Sequence, residues 1–288
     1  VAPLTDPDLL LAPEANSRAL GRALYAGVKD LPIVSPHGHT DPRWYALNEP
    51  FPDPAQLLIV PDHYILRILF SQGVRLEELG VPTLDGAPVE TDGRAIWRRF
   101  AEHYYLFRGT PTRLWLDHVF EHLFGIEEPL TAASADRTYD RIAALLERDD
   151  YRPRALFERF NIEVIATTEG ALDDLKWHRM IRDSGWSGRV VTAYRPDAVV
   201  DPDFEGFSAN LNRLGDITGC DTGSWTGYLD AHRKRRAYFK EFGATSSDHG
   251  HPTAETANLS ARRPRSCSTV SAAAPTTSAS GGCSGRRC

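Results

Sequence analysis

The chain has 288 residues, of which 41% are hydrophobic and 25% charged, and its net charge is −6. These are ordinary values for a globular protein, and the length is enough to bury a large core in one or two domains. The acidic balance argues against a nucleic-acid binder, which would carry a basic face, and no apolar run reaches the roughly 18 residues a membrane span needs.

Residues 1–16 contain Asp and Glu and no basic stretch, so they do not read as a signal peptide, and the cytoplasm is the expected compartment. Cys220 is the one cysteine in the first 260 residues, which suits a reducing compartment. Cys267, Cys283 and Cys288 crowd the end of the chain with no C-x₂-C spacing and no His among them. They therefore predict neither a disulfide framework nor a zinc cluster.

In chain order, the apolar spacing predicts a helix over residues 6–28. Leu31-Pro-Ile-Val-Ser-Pro36 follows and reads as a short buried strand ending at His37-Gly-His39. From 54 to 160 the signals are helical: 56–72, 95–107, 112–124 and 135–146. The aromatics there (Trp97, Phe100, Tyr104, Phe107, Trp115, Phe120 and Phe124) read as core and not as a ligand box. A β/α alternation then begins, with strands at 162–168 and 189–194 and helices at 172–184, 203–217 and 225–242. A further strand starts at Gly243 and ends in Asp248-His-Gly-His251. Strands alternating with helices imply a parallel sheet. About four strands amount to the first half of a (β/α)₈ TIM barrel, with a helical insertion (54–160) after the first strand.

Composition changes near residue 260. Residues 261–288 hold five arginines, no acid, no aromatic and no Leu, Ile or Met, so the preceding 260 residues carry a net charge of −11. Such a segment cannot offset its ordering entropy by burial and is expected to be a disordered tail. It reads either as a natural flexible tail or as out-of-frame translation of a GC-rich gene.

Four constellations carry chemistry. His37 and His39 stand at i and i+2 of a strand end, so both imidazoles can face one ion; the bland alternative is two surface histidines in a polar loop. In Asp62-His63-Tyr64, Tyr64 beside His63 can bond a substrate oxygen or pass a proton, or Asp62 simply caps a helix against which Tyr64 packs. Arg195, in Tyr194-Arg-Pro-Asp197, can grip a carboxylate with two parallel hydrogen bonds, or pair with Asp197 at a surface turn. His249, in the second H-x-H, can add a ligand or a polar wall, or belong to a loop cluster.

Taken together, PIVSPHGHTDP, PDHYILRILFSQGV, FNIEVIATTEGALDDLKWH, YRPDAVV and GATSSDHGH resemble the uronate isomerase (glucuronate isomerase) family of the amidohydrolase superfamily. The first H-x-H is shared with many metal hydrolases; the ATTxxxLDDLxxH stretch is far more specific. The resemblance spans about residues 5–260. It implies an aldose–ketose isomerase that interconverts D-glucuronate with D-fructuronate, and D-galacturonate with D-tagaturonate, by proton transfer through an enediol. It implies His37 and His39 as the metal pair, usually for zinc. It makes His63 and Tyr64 the residues beside the reacting carbons and Arg195 the carboxylate arginine; it assigns no precise role to His249, which is expected as a further substrate contact. Family members are much longer, and the Asp and Arg that their last strand supplies have no counterpart here. The expectation is a truncated domain over 1–260 with little or no activity alone. The small-molecule partner would be a uronate, with no nucleic acid and no membrane, and a homo-oligomer is left open. Alternatives are a metal-dependent hydrolase of the same superfamily, which needs no clamp for a sugar carboxylate, and a non-catalytic fragment.

Overall fold

A computed structural model describes residues 4–250. The chain opens with α1 (Ala15–Ala26), passes through β1 (Ile33–Ser35) and α2 (Pro42–Leu47), and enters a helical stretch. That stretch holds α3 (Pro54–Leu58), α4 (His63–Ser71), α5 (Gly93–His103), α6 (Pro111–His118), α7 (Ala135–Leu146) and α8 (Pro153–Arg159). Then follow β2 (Ile162–Gly170), α9 (Lys176–Asp183), β3 (Arg189–Arg195), α10 (Asp197–Val200), α11 (Phe207–Thr218) and α12 (Trp225–Glu241). The described residues form two compact units, one helical (4–32 and 48–161) and one built on the sheet (33–47 and 162–250).

The core of the helical unit is aromatic. Trp97, Phe100 and Tyr104 recur at i, i+3 and i+7 along α5 and its 3₁₀ extension, one face of a helix, and all are fully buried. Phe107, Phe120 and Phe124 join them, and Trp97 donates from Nε1 to the Ala135 carbonyl at 3.0 Å. Trp115, also expected in the core, is 38% exposed, because its neighbour Leu116 takes the inward face of α6. The helix expected over 56–72 is two helices. Pro61 has no N–H to continue α3 and disfavours helical backbone at Val60, and Asp62 starts α4 afresh. The helix expected from residue 6 begins at Ala15, where the Glu14 carboxylate accepts the N–H groups of Asn16 and Ser17. The helix expected over 112–124 ends its α geometry at His118 and closes with a π turn, Val119–Leu123.

In the sheet unit β1, β2 and β3 pair in parallel in the order β1-β2-β3. The short β1 was expected to be buried, yet Ile33 and Val34 are 49% and 57% exposed. It pairs along one edge with β2 and has no other partner strand among the described residues. Among the described residues, the fourth strand expected from Gly243 is reduced to one parallel bridge, Tyr194 with Ser247. Alternation divides the sheet. Thr167, Glu169, Thr192 and Tyr194 leave one face, where His178 of α9 and His232 of α12 meet them. Thr168, Ala193 and Arg195 leave the other.

The helix expected from residue 172 starts at Lys176, because 171–175 is a tight loop tied from outside. Arg235 of α12 donates from Nε to the Ala171 carbonyl at 2.7 Å and from Nη2 to the Asp173 carbonyl at 2.5 Å. The Tyr238 hydroxyl donates to the Asp174 carbonyl at 2.5 Å. Leu175 closes the loop with φ +53° while 1% exposed. Behind β3, Leu175 packs with Tyr194, Val199, Leu214 and Phe239 in a second core. The tail expected over 261–288, its three cysteines included, lies outside the described residues. No helix among the described residues is long and apolar enough to cross a membrane.

Candidate active site

The parallel pairing brings the carboxyl ends of β1, β2 and β3 to one end of the sheet. In open and closed parallel sheets alike, ligands collect at that end. His37 and His39 follow β1 there, exposed, with ring centroids 4.9 Å apart and planes at 89°. They are held by β2: the Thr168 hydroxyl donates to the Gly38 carbonyl at 3.1 Å and lies 3.4 Å from His37 Nδ1. Two adjacent imidazoles are good donors for zinc, but a zinc site needs at least three protein ligands. No group of three or more His, Cys, Asp or Glu able to hold a metal forms among the described residues. The pair therefore fits part of a metal centre.

Arg195 ends β3 opposite Gly170 of β2, on the same face as Thr168. Its Nε donates to Asp197 Oδ2 at 2.7 Å, and its Nη1 lies 3.0 Å from Asp248 Oδ2. The Arg195–Asp197 turn contact anticipated from sequence is thus present, and Asp248 adds a second carboxylate. Asp197 also accepts the Gly250 N–H, at 3.0 and 3.1 Å to its two oxygens. Burial acts upward on Asp197, but the Arg195 and Gly250 bonds, with the nearby charges of Arg195 and His249, carry it below the usual carboxylate range. A Cβ at Gly250 would stand 2.9 Å from Asp197 Oδ2 and 3.1 Å from Arg195 Nη2, so those side-chain ends would have to give way. His249 is exposed, with Nε2 3.0 Å from Ser247 Oγ. Among the described residues of its motif, Asp248 reaches Arg195.

His63 and Tyr64 begin α4 in the helical unit, where Asp62 Oδ1 accepts the N–H groups of Tyr64 (2.8 Å) and Ile65 (3.2 Å). The capping reading of Asp62 is correct. Tyr64 does not pack inward; it is 60% exposed, with its ring 4.2 Å from that of His63 and Arg67 5.9 Å from its centroid.

Sequence reasoning passed over a buried polar cluster on the opposite face of β2. Glu169 accepts from Thr167 Oγ1 at 2.9 Å and from Thr192 Oγ1, and Thr167 Oγ1 lies 2.9 Å from His178 Nε2. Burial pushes Glu169 up to about 7 and His178 down to about 4. The signal was Thr167 and Glu169 at alternate positions of an otherwise apolar strand. Asp197 and Asp248 were also missed as partners of one arginine.

The profile of the family described as glucuronate isomerase matches residues 6–274, which runs past the change in composition near 260. A uronate isomerase of Mesorhizobium japonicum is 86% identical over 257 residues, covering 89% of this chain and 55% of that protein. One of Rhizobium meliloti is 74% identical over 256 residues, with the same coverage. The crystal structure of glucuronate isomerase from Caulobacter crescentus superposes with a TM-score of 0.89 at 52% identity. That of uronate isomerase from Thermotoga maritima superposes with a TM-score of 0.82 at 25% identity. Each superposition covers 94% of this chain and 57% of the other. The chain thus spans about half the length of the curated relatives it matches, and it belongs to the glucuronate isomerase family.

Proposed function

We propose that this chain carries part of a uronate isomerase on an incomplete (β/α)₈ barrel. The reaction interconverts D-glucuronate with D-fructuronate, and D-galacturonate with D-tagaturonate, by moving a proton between neighbouring carbons through an enediol. The observation that carries this reading is the sharing of one sheet end by the His37–His39 pair and Arg195, on either side of Thr168. A uronate has a reacting carbonyl at one end and a carboxylate at the other, so it asks for a polarising centre and a cation held apart.

In this reading His37 and His39 hold zinc, which when bound supplies Lewis-acid polarisation of a sugar oxygen. Arg195 meets the carboxylate through Nη2, and an end-on grip by both Nη groups requires Asp248 to yield its place on Nη1. His249 adds a polar contact beside them. His63 and Tyr64 serve the proton transfer. Taken alone, the chain has little or no activity, since its sheet has an open edge at β1 and its metal pair lacks a third ligand among the described residues.

The test compares this chain alone with a chimera that adds the part of the Mesorhizobium japonicum relative outside the aligned region. Both are assayed with zinc on D-glucuronate and on a panel of amides and lactones. Isomerisation by the chimera and near silence from the chain alone are expected. A chimera that hydrolyses the panel and leaves uronates unchanged would replace the isomerase with a hydrolase. A chain that alone isomerises glucuronate at the chimera's rate would overturn the low-activity claim.

A further inference from the structure

On the far side of β3 from Arg195 lies a cleft of about 220 Å³ that shares only His249 with the isomerase reading. Tyr194 and Arg195 are successive strand residues and leave opposite faces. Tyr194, Tyr228 and Val200 supply an apolar wall, and no acidic side chain among the described residues lines the cleft. Its polar lining includes His232 and Arg236 of α12, with His249 at the rim.

His232 is only 6% exposed, and its Nε2 has no hydrogen-bond partner among the described residues. Its other nitrogen, Nδ1, lies 2.8 Å from the Tyr194 hydroxyl. Burial pushes the ionisation of that hydroxyl upward, so it stays protonated, and with no other partner among the described residues its hydrogen is met only by donating to Nδ1. A neutral imidazole that accepts at Nδ1 carries its hydrogen at Nε2. The orphan is therefore a buried donor whose hydrogen is left unmet. Arg236 is exposed and has no hydrogen bond or ion pair to a described residue. Burial first, and then the Arg236 charge, hold His232 down at about 4, so the imidazole stays neutral and a cation stands near it.

We infer that this cleft binds a small organic carboxylate with an apolar body, the carboxylate accepting from His232 Nε2 and Arg236 while the body lies along Tyr194, Tyr228 and Val200. The inference does not rest on the isomerase reading.

The experiment follows the His232 imidazole ¹⁵N signals of the full chain by NMR during titration with benzoate. Acetate, inorganic phosphate and D-glucuronate form parallel arms. Benzoate should move the Nε2 signal saturably, acetate and phosphate much less. Arg236→Gln, an exposed change that leaves the fold alone, should weaken benzoate by about tenfold. No saturable shift with benzoate, or an unchanged affinity in Arg236→Gln, overturns the site. Phosphate binding as tightly as benzoate overturns the apolar-body requirement. A shift by D-glucuronate equal to that by benzoate overturns the cleft as a separate site.

Discussion

Thr167 Oγ1 stands 2.9 Å from His178 Nε2, joining β2 to α9 through a hydroxyl that also donates to Glu169. The arrangement ties strand, helix and carboxylate into one buried unit.

The titration of that unit gives a stability prediction. Glu169 has its pKa raised by burial from 4.5 to about 7. Its contribution is therefore whole at low pH and is lost as pH rises to 7. His178 is lowered by burial from 6.5 to about 4, so its contribution is whole above 6.5 and is lost as pH falls through 4. The two slopes oppose each other over most of the acid range. Glu169→Gln removes only the first, so the variant should melt higher than the parent at pH 8 and gain little at pH 4.5. Thermal melts at both pH values check this, and an equal gain at the two would refute it.

Arg235 predicts the behaviour of the loop it holds. Arg235→Leu keeps much of the packing but leaves the Ala171 and Asp173 carbonyls without their donors. The cost should be about 2–4 kcal/mol, since two acceptors lose a charged partner. Hydrogen exchange at 171–175 should accelerate well beyond that of β2. Uniform acceleration across the sheet unit would mean that the contact is general packing and not a clamp.

Asp197 is the hinge of the Arg195 end. Asp197→Asn can still accept one bond but loses the charge that faces Arg195. Arg195 is 37% exposed on its side chain, so solvent screens the pair and the loss should be only about 1 kcal/mol. The clearer readout is the Gly250 amide, whose exchange should speed up while Thr168 and Val191 stay protected. Unchanged Gly250 exchange in urea-free buffer would argue that the 248–250 turn is held by Asp248 instead.

Zinc binding tests the β1 pair. His118 and His122 are a competing pair, with rings 4.4 Å apart, so titrations belong in a His118→Ala background. There, zinc should bind weakly by calorimetry, and either His37→Ala or His39→Ala should abolish the heat. Persistence of the same isotherm in both variants would remove the pair from consideration as a metal centre.

Much of this was legible in the chain because it depends on local rules. The H-x-H sits where a parallel strand ends, and Asp62 caps a helix because a carboxylate two residues ahead of an N–H has little choice. Arg195 was read correctly as a strand-end cation with Asp197 beside it. What escaped were relations set by alternation and by distance along the chain. Glu169 looked like one more residue of a family motif, until the pleat turned it away from Thr168 and toward His178. Asp248 finds Arg195 only after the chain between them folds back. The exposure of Ile33 and Val34 was hidden for a different reason: apolar β-branched residues signal burial, but burial needs a neighbour on each side.

Leu175 shows how two demands on one residue are settled. A left-handed backbone costs a leucine about 1–2 kcal/mol relative to glycine. Deleting a buried leucine side chain costs about 2–5 kcal/mol. The second number wins, so glycine at this position would relax the bend and still leave the protein poorer. The turn after β2 owes its shape to what lies beneath it, and swapping in a better turn-former would be a mistake in any attempt to stabilise this chain.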